Sequence, residues 1–152
     1  MIKFFRVVII FLCVFGIGVN PAMGTEISDD GETVKTEDFN WEPVIQAIVY
    51  VESRGNVKAV SGNSCGAMQI TPVLVQECNN ILKQRNSKKR YTLRDRFSLE
   101  KSKEMFVLIQ SRFNPENDVE KAIRAWNGGS HYNVRRTQGY FNKVMAYLNS
   151  HS

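Results

Sequence analysis

The chain has 152 residues, a formal net charge of +5, 43% hydrophobic residues and 3 cysteines. Its length allows one domain with one modest core, and its basic balance favours polyanionic partners such as cell-wall polymers or anionic membrane surfaces. A zinc site has little support, because the sequence has only 2 histidines and lacks Cys-x-x-Cys and His-x-x-x-His spacings.

Residues 1–24 have the pattern of a secretory signal peptide. Lys3 and Arg6 provide positive charge, the thirteen residues Val7–Val19 include no polar side chain, and Ala22-Met23-Gly24 is typical of a cleavage site. The apolar run is shorter than the roughly 20 residues of a membrane span, although a retained N-terminal anchor is the alternative. We expect export to the periplasm or the cell exterior with cleavage near Gly24, which argues against nucleic acid as a partner.

Charge divides the remaining chain into an acidic lead and a basic body. Thr25–Glu42 holds seven acidic residues and one lysine, whereas the chain from Pro43 onward holds 17 Lys plus Arg against 8 Asp plus Glu. The polar, aperiodic composition of residues 25–40 predicts a flexible lead. We therefore place the folded domain at residues 41–152.

The folded domain is expected to be mainly α, with five helices around one core and little or no β structure. Apolar residues recur at helical spacing through most of its length. The predicted helix starts are Asn40 with Pro43 in the first turn, Thr71-Pro72, Ser98, Asn117 or Asp118, and Thr137. Phe106, Ile109 and Phe113 form the predicted inner face of the third helix, and Tyr91 to Phe97 is the only stretch with an extended pattern.

Glu52 is the candidate catalytic residue even before any family is considered. Ile45, Ile48 and Glu52 share one face of the first helix, so Glu52 continues an apolar stripe. Partial burial raises the pKa of a carboxyl group and keeps it protonated, which is the state that glycosidic bond cleavage requires. The alternative is a glutamate at the frayed end of a helix, turned toward water.

Four motifs follow one another in the basic body. They are Val51-Glu52-Ser53-Arg54-Gly55-Asn56, Gly66-Ala67-Met68-Gln69-Ile70-Thr71-Pro72, Ala125-Trp126-Asn127-Gly128-Gly129 and Tyr140-Phe141-Asn142-Lys143-Val144. In this order they resemble the lytic transglycosylases of the soluble, lysozyme-like type, which are related in fold to goose-type lysozyme. The resemblance covers residues 51–144 and implies a lysozyme-like domain that cleaves peptidoglycan.

The resemblance implies a role for each matching polar residue. Glu52 matches the family's sole catalytic acid and base, and Tyr140 matches the tyrosine whose hydroxyl holds that glutamate in position. Ser53 matches a hydroxyl that helps to orient the acid and the sugar. Gln69 matches a residue that hydrogen-bonds the substrate, and Asn127 matches one that contacts it beside the scissile bond.

Other positions match less closely. Met68 matches a residue that lines the cleft, but a flexible thioether fills gaps in a core equally well. Trp126 replaces the usual tyrosine, so it keeps an aromatic surface beside the substrate and loses a hydroxyl. Arg54-Gly55-Asn56-Val57 lacks the aromatic residue and the proline often found after Glu-Ser, which predicts a loop of different shape.

The number of carboxylates points to the reaction type. A hydrolase of the usual kind needs two, and no second one lies inside the four motifs. Glu77, Asp95 and Asp118 are the other candidates, each at a position typical of a surface or cap residue. With Glu52 alone, we expect lytic cleavage between N-acetylmuramic acid and N-acetylglucosamine that closes a 1,6-anhydro ring, without a metal or another cofactor.

Two alternatives remain at this point. One is a muramidase that adds water to the same bond, and the other is a non-catalytic wall-binding subunit of a secretion, conjugation or phage machine. The expected partner is the glycan strand of peptidoglycan, with envelope-spanning secretion or conjugation machinery as a further candidate. We expect the protein to be a monomer.

Cys65 and Cys78 remain after cleavage of the leader. In an exported protein they could form a disulfide across a short loop. The alternative is a pair of small buried thiols, and the sequence does not favour either.

Overall fold

The computed structural model describes residues 39–151. The predicted signal peptide and nearly all of the acidic lead lie outside the described residues, so both stay predictions. Among residues 39–151, no helix has the length and apolar character needed to cross a membrane.

The described chain is built from five α-helices, one short 3-10 helix and one two-stranded sheet, as expected for a mainly α fold. In chain order the elements are α1 (Glu42–Ser53), β1 (Val60–Ser61), β2 (Ser64–Cys65), α2 (Pro72–Gln84), the 3-10 helix (Leu93–Phe97), α3 (Leu99–Phe113), α4 (Val119–Gly128) and α5 (Val134–Ser150).

Three helix starts are confirmed by side-chain caps. The backbone N–H of Leu74 donates to Thr71 Oγ1 at 3.2 Å, and that of Lys101 donates to Ser98 Oγ at 3.3 Å. Asp118 caps α4, since its Oδ1 accepts from the N–H of Lys121 at 3.0 Å. Each such cap satisfies an N–H that the helix leaves open and contributes about 1 kcal/mol.

The predicted start of the fifth helix at Thr137 is wrong. Asn133 is the cap, with Oδ1 accepting from the N–H of Arg136 at 3.1 Å, and Thr137 lies inside the helix, where its hydroxyl donates to Asn133 O. Both residue types cap helices well, so local preference does not decide between them. The tertiary contact does, because Nη1 of Arg124 donates to both Val134 O and Thr137 Oγ1.

The position of the β structure also differs from the prediction. Leu93–Phe97 forms the 3-10 helix, which begins at a capping box between Thr92 and Asp95. The two strands lie in the loop after α1 and pair antiparallel, with Val60 opposite Cys65. Strands of this length cannot be predicted from alternating apolar and polar residues, because they are too short to show that period.

The core packs around α1, whose apolar face is fully covered. Ile48, Met68, Phe106, Ile123 and Val144 have no solvent exposure and belong to one continuous cluster. This cluster draws residues from all five α-helices and from the loop before α2.

Phe113 is 40% exposed, so its predicted place in the core is wrong. Its spacing from Phe106 puts it on the correct side of α3, but it is the last residue of the helix. Periodicity predicts the direction of a side chain, whereas burial also needs a neighbouring element at that point.

Cys65 and Cys78 are both buried and unbridged, which is the second of the two alternatives. The Cys78 thiol lies 3.8 Å from the carbonyl oxygen of Met105 and therefore faces α3. Burial, with a smaller contribution from the charge of Glu77, raises the pKa of the Cys78 thiol to about 12. This thiol is therefore a weak nucleophile at neutral pH.

Gly66 lies where the loop after β2 meets the 3-10 helix. A Cβ atom added there would lie 1.7 Å from the carbonyl oxygen of Arg96, and φ at this residue is +78°. Gly62 also has a positive φ, +56°, but nothing lies within 4 Å of an added Cβ atom. Both positions favour glycine for the backbone, and only Gly66 requires the absence of a side chain.

We expect Gly66→Ala to lower the free energy of unfolding by about 1–3 kcal/mol more than Gly62→Ala. Both substitutions carry the cost of a left-handed backbone, and only the first adds a steric clash. Urea denaturation of the two variants measures the difference. Equal losses would mean that the loop can move away from the 3-10 helix at little cost.

Candidate active site

The structure brings Glu52 and Tyr140 together from helices far apart in the sequence. Glu52 lies in the last turn of α1, and Tyr140 lies in the second turn of α5. The Tyr140 hydroxyl donates a hydrogen bond to Glu52 Oε1 at 2.8 Å. The glutamate is thus held by the fold, and the alternative of a side chain frayed into solvent is not what the structure has.

Burial controls the ionisation of this pair. Desolvation raises the pKa of Glu52 above its ordinary value of 4.5, and the hydrogen bond from Tyr140 lowers it to a smaller extent. Burial and the nearby charge of Glu52 raise the pKa of Tyr140, so its hydroxyl stays protonated and remains a donor. The arrangement is therefore suited to a carboxyl group that gives up a proton and later takes one back.

The second carboxylate oxygen of Glu52 makes no hydrogen bond within residues 39–151. Since no buried side-chain N or O atom of the described chain lacks a partner, this unpartnered oxygen is accessible to solvent. This oxygen can therefore face a ligand while Tyr140 holds the other one.

Ser53 is tied to the protein through its hydroxyl. Its Oγ donates to Ala67 O at 2.8 Å and lies 3.5 Å from Val49 O. A serine hydroxyl has a single proton to donate, so Ser53 can offer a sugar only its lone pairs while this bond is made. Its visible effect is to fix the end of α1 to the loop that carries Met68 and Gln69.

Met68 and Gln69 are adjacent but occupy different environments. Met68 is completely buried, so the structure places its side chain in the core and not on a cleft wall. Gln69 is half-buried and has a φ of +51°. Its Nε2 donates to Gly66 O at 2.9 Å, and because a carbonyl oxygen only accepts, the amide orientation is fixed and Oε1 is left to accept from a ligand.

Trp126 and Asn127 lie in the last turn of α4. The indole Nε1 of Trp126 donates to Met68 O at 3.2 Å, and its ring packs at 5.2 Å from that of Phe106. Asn127 is exposed, and its amide has no hydrogen bond to any described residue. Trp126 is therefore a structural support of the loop as well as an aromatic surface, whereas Asn127 is available to a ligand.

Two arginines beside the site have roles that the sequence did not indicate. Arg124 is only 3% exposed and donates from α4 to Val134 O, Thr137 Oγ1 and Gln138 Oε1 of α5. Arg96 of the 3-10 helix donates to Asn63 O, in the turn between β1 and β2, and to Ile70 O, at the end of the loop that carries Gln69. For Arg124 the sequence offered one signal, Glu120 four residues earlier. That spacing is typical of an exposed ion pair on a helix and does not predict that the arginine is buried.

The three other candidate carboxylates have contacts of their own. Asp95 accepts from the backbone N–H and the hydroxyl of Thr92, and Asp118 caps α4. Glu77 accepts from the side chain of Asn80 on the same helix. No carboxylate contributes to the pKa shift of Glu52, and no group of three or more His, Cys, Asp or Glu side chains suited to a metal occurs within residues 39–151.

A comparison with family models identifies a Transglycosylase SLT domain over residues 33–148. No curated protein and no solved structure matches the chain. The matched range contains Glu52, Gln69, Asn127 and Tyr140.

We expect the Glu52 carboxyl to titrate above 4.5, and Tyr140→Phe to raise its pKa further, because the lost hydrogen bond favours the ionised form. Carbon-detected NMR titration of the side-chain carboxyl measures both values. Tyr147→Phe is the matched control, since Tyr147 lies on the same helix and its ring contacts only Tyr50 and His151 among the described aromatic residues. A lower Glu52 pKa in the Tyr140 variant would contradict the assigned hydrogen bond.

Proposed function

Because the chain belongs to the Transglycosylase SLT domain family, we propose that it is a peptidoglycan lytic transglycosylase in which Glu52 is the sole acid and base. The observation that carries this proposal is the hydrogen bond from Tyr140 to a half-buried Glu52. A carboxyl group in such a place is kept neutral by burial and oriented by a donor that does not itself ionise.

The first step uses Glu52 as an acid. Its free carboxyl oxygen gives a proton to the glycosidic oxygen between N-acetylmuramic acid and N-acetylglucosamine, and the bond from that oxygen to C1 of the muramic acid breaks. The positive charge that develops at C1 is stabilised by the neighbouring N-acetyl group of the substrate. Asn127 and Oε1 of Gln69 are the polar groups available to hold the sugar during this step.

The second step uses the same residue as a base. The Glu52 carboxylate takes the proton of the C6 hydroxyl, whose oxygen then bonds to C1 and closes a 1,6-anhydro ring. Glu52 ends in its starting protonation state, and no water is consumed. A single carboxylate is enough for this sequence, whereas a hydrolase of the usual kind needs two.

The contacts of the other acidic residues support the transglycosylase over the muramidase. Asp95 and Asp118 accept backbone hydrogen bonds at the starts of helices, so moving them toward Glu52 would cost two caps. A wall-binding module without catalysis would not need a desolvated carboxyl group, which lowers stability when it is charged. The transglycosylase is therefore favoured over both the muramidase and the wall-binding module.

We also propose that the enzyme acts outside the cytoplasmic membrane as a monomer on glycan strands. Peptidoglycan lies there, and the pattern of residues 1–24 is that of a cleaved leader. The intact mass of the protein recovered from the periplasm or medium should correspond to a chain that begins near Thr25. An unprocessed mass would instead favour an anchored protein.

Glu52→Gln should reduce turnover of purified sacculi by at least roughly 10²–10⁴-fold, because the amide keeps the shape of the side chain and cannot donate the proton. Glu77→Gln on α2 is the matched control and should keep wild-type turnover. The melting temperature of both variants shows whether they are folded. Turnover above about a tenth of wild type in Glu52→Gln would remove Glu52 from the role of acid.

The released muropeptides should end in 1,6-anhydro-N-acetylmuramic acid and lack a reducing end. Their mass should be about one water, roughly 18 Da, below that of the hydrolytic products, because the C6 hydroxyl replaces water as the nucleophile under general-base catalysis. Mass spectrometry before and after borohydride reduction distinguishes the two, since only reducing ends gain hydrogen. Reducible products would assign the protein as a muramidase and leave Glu52 as its acid.

A further inference from the structure

The loop that carries Gln69 adopts a backbone that it would not favour alone. Gln69 has a φ of +51°, a region in which residues other than glycine are strained by about 1–2 kcal/mol. Such a conformation persists only when surrounding contacts hold it. The loop is closed on itself by two backbone bonds between Cys65 and Ile70, each with the other's carbonyl.

Side chains from three different elements hold this loop by its carbonyl oxygens. Ser53 of α1 donates to Ala67 O, and Trp126 of α4 donates to Met68 O. Arg96 of the 3-10 helix donates from one nitrogen, Nη1, to Asn63 O at 3.0 Å and to Ile70 O at 3.3 Å. Arg96 thus joins the turn between β1 and β2, at Asn63, to the end of the loop, at Ile70.

Arg96 is itself fixed in place. Its Nε donates to Leu93 O at 2.9 Å, and its own carbonyl oxygen lies against Gly66 and 3.3 Å from Ser102 Oγ, whose shorter bond is to Ser98 O at 2.7 Å. Within residues 39–151 its guanidinium forms no ion pair, and its donors go to the backbone carbonyls of Leu93, Asn63 and Ile70. Hydrogen bonds from a charged donor are about twice as strong as neutral ones.

We propose that Arg96 is a positioning residue for glycan binding, because it fixes the loop on which Gln69 presents Oε1 to a hydroxyl or N-acetyl N–H of the sugar. The inference rests on the proposed function, since it takes the glycan strand as the ligand that Glu52 and Gln69 contact. Arg96 does not touch the substrate in this assignment. It acts through Gln69.

This assignment separates binding from chemistry. Without Arg96 the loop can leave its strained conformation, and Gln69 then has to be ordered by the substrate at a cost in affinity. Immobilising a side chain on binding costs from a few-fold to about 10-fold in affinity, so we expect the dissociation constant of the glycan to rise about 3–10-fold in Arg96→Met. The Glu52–Tyr140 pair makes no contact with Arg96, so the Glu52 pKa should not change.

The experiment measures binding in proteins that cannot cleave. In the Glu52→Gln background, isothermal titration calorimetry with an octasaccharide of alternating N-acetylglucosamine and N-acetylmuramic acid compares Arg96→Met, Gln69→Ala and the two together. Arg94→Met is the matched control, because Arg94 lies in the same 3-10 helix, is exposed and makes no hydrogen bond or ion pair to a described side chain. Circular dichroism reports whether each variant is folded, and Arg96→Lys replaces Arg96→Met should the latter not fold.

The expected result is that Arg96→Met and Gln69→Ala each weaken binding and that their effects do not add, because they remove the same contact. Binding by Arg96→Met equal to that by Arg94→Met overturns the proposal, and so do additive effects with Gln69→Ala. If Glu52→Gln itself does not bind the octasaccharide, the proposed function fails and takes this inference with it. Binding by Glu52→Gln without an effect of Arg96 overturns the inference alone.

Discussion

The hydrogen bond from Tyr140 to Glu52 requires that α1 and α5 pack side by side, and the rest of the domain holds them in that position. Its two residues are 88 positions apart, so the bond exists only when α1 and α5 pack in one arrangement. Ile48 on α1 and Val144 on α5 are both fully buried in the common core. Burial of such residues contributes roughly 1.5–3 kcal/mol each, which offsets the cost of bringing a carboxyl group out of water. The geometry of the Glu52–Tyr140 pair is therefore stabilised mainly by apolar packing.

Arg124 holds α4 and α5 together, which is the second packing arrangement on which the site depends. Its guanidinium is buried, pairs with Glu120 at 2.6 Å and lies 4.3 Å from the ring of Phe141. A buried charge is tolerated only where its donors are satisfied, and here they are satisfied by residues of both helices. Since α4 carries Asn127 near its end and α5 carries Tyr140, this one side chain connects the helix of Asn127 to the helix of the residue that donates to Glu52.

The loop that carries Gln69, closed between Cys65 and Ile70, is preorganised by the contacts of its carbonyl oxygens. Its carbonyls accept from Ser53, Trp126 and Arg96, so the loop is ordered during folding and not at the moment of binding. Ordering a loop before the ligand arrives improves affinity, because less conformational entropy is lost on association. The indole of Trp126 makes its contribution through an N–H, which a tyrosine at this position would have to replace with its hydroxyl. The replacement of the family's tyrosine by Trp126 therefore still allows this residue to support the loop through Met68 O.

The sequence by itself determined the five helices, most of their caps and the alignment of Glu52 with an apolar stripe, because periodicity and capping are local properties. It also determined the family, since the four motifs keep their order. Only the tertiary structure decided that α5 begins at Val134 with Asn133 as its cap, that Phe113 is exposed and that Met68 is core. It alone revealed the contacts of the half-exposed Arg96 and the buried Arg124, because in a sequence either arginine is typical of a surface charge. Those contacts include backbone carbonyls and polar side chains of other elements, and no pattern in a single segment can specify them.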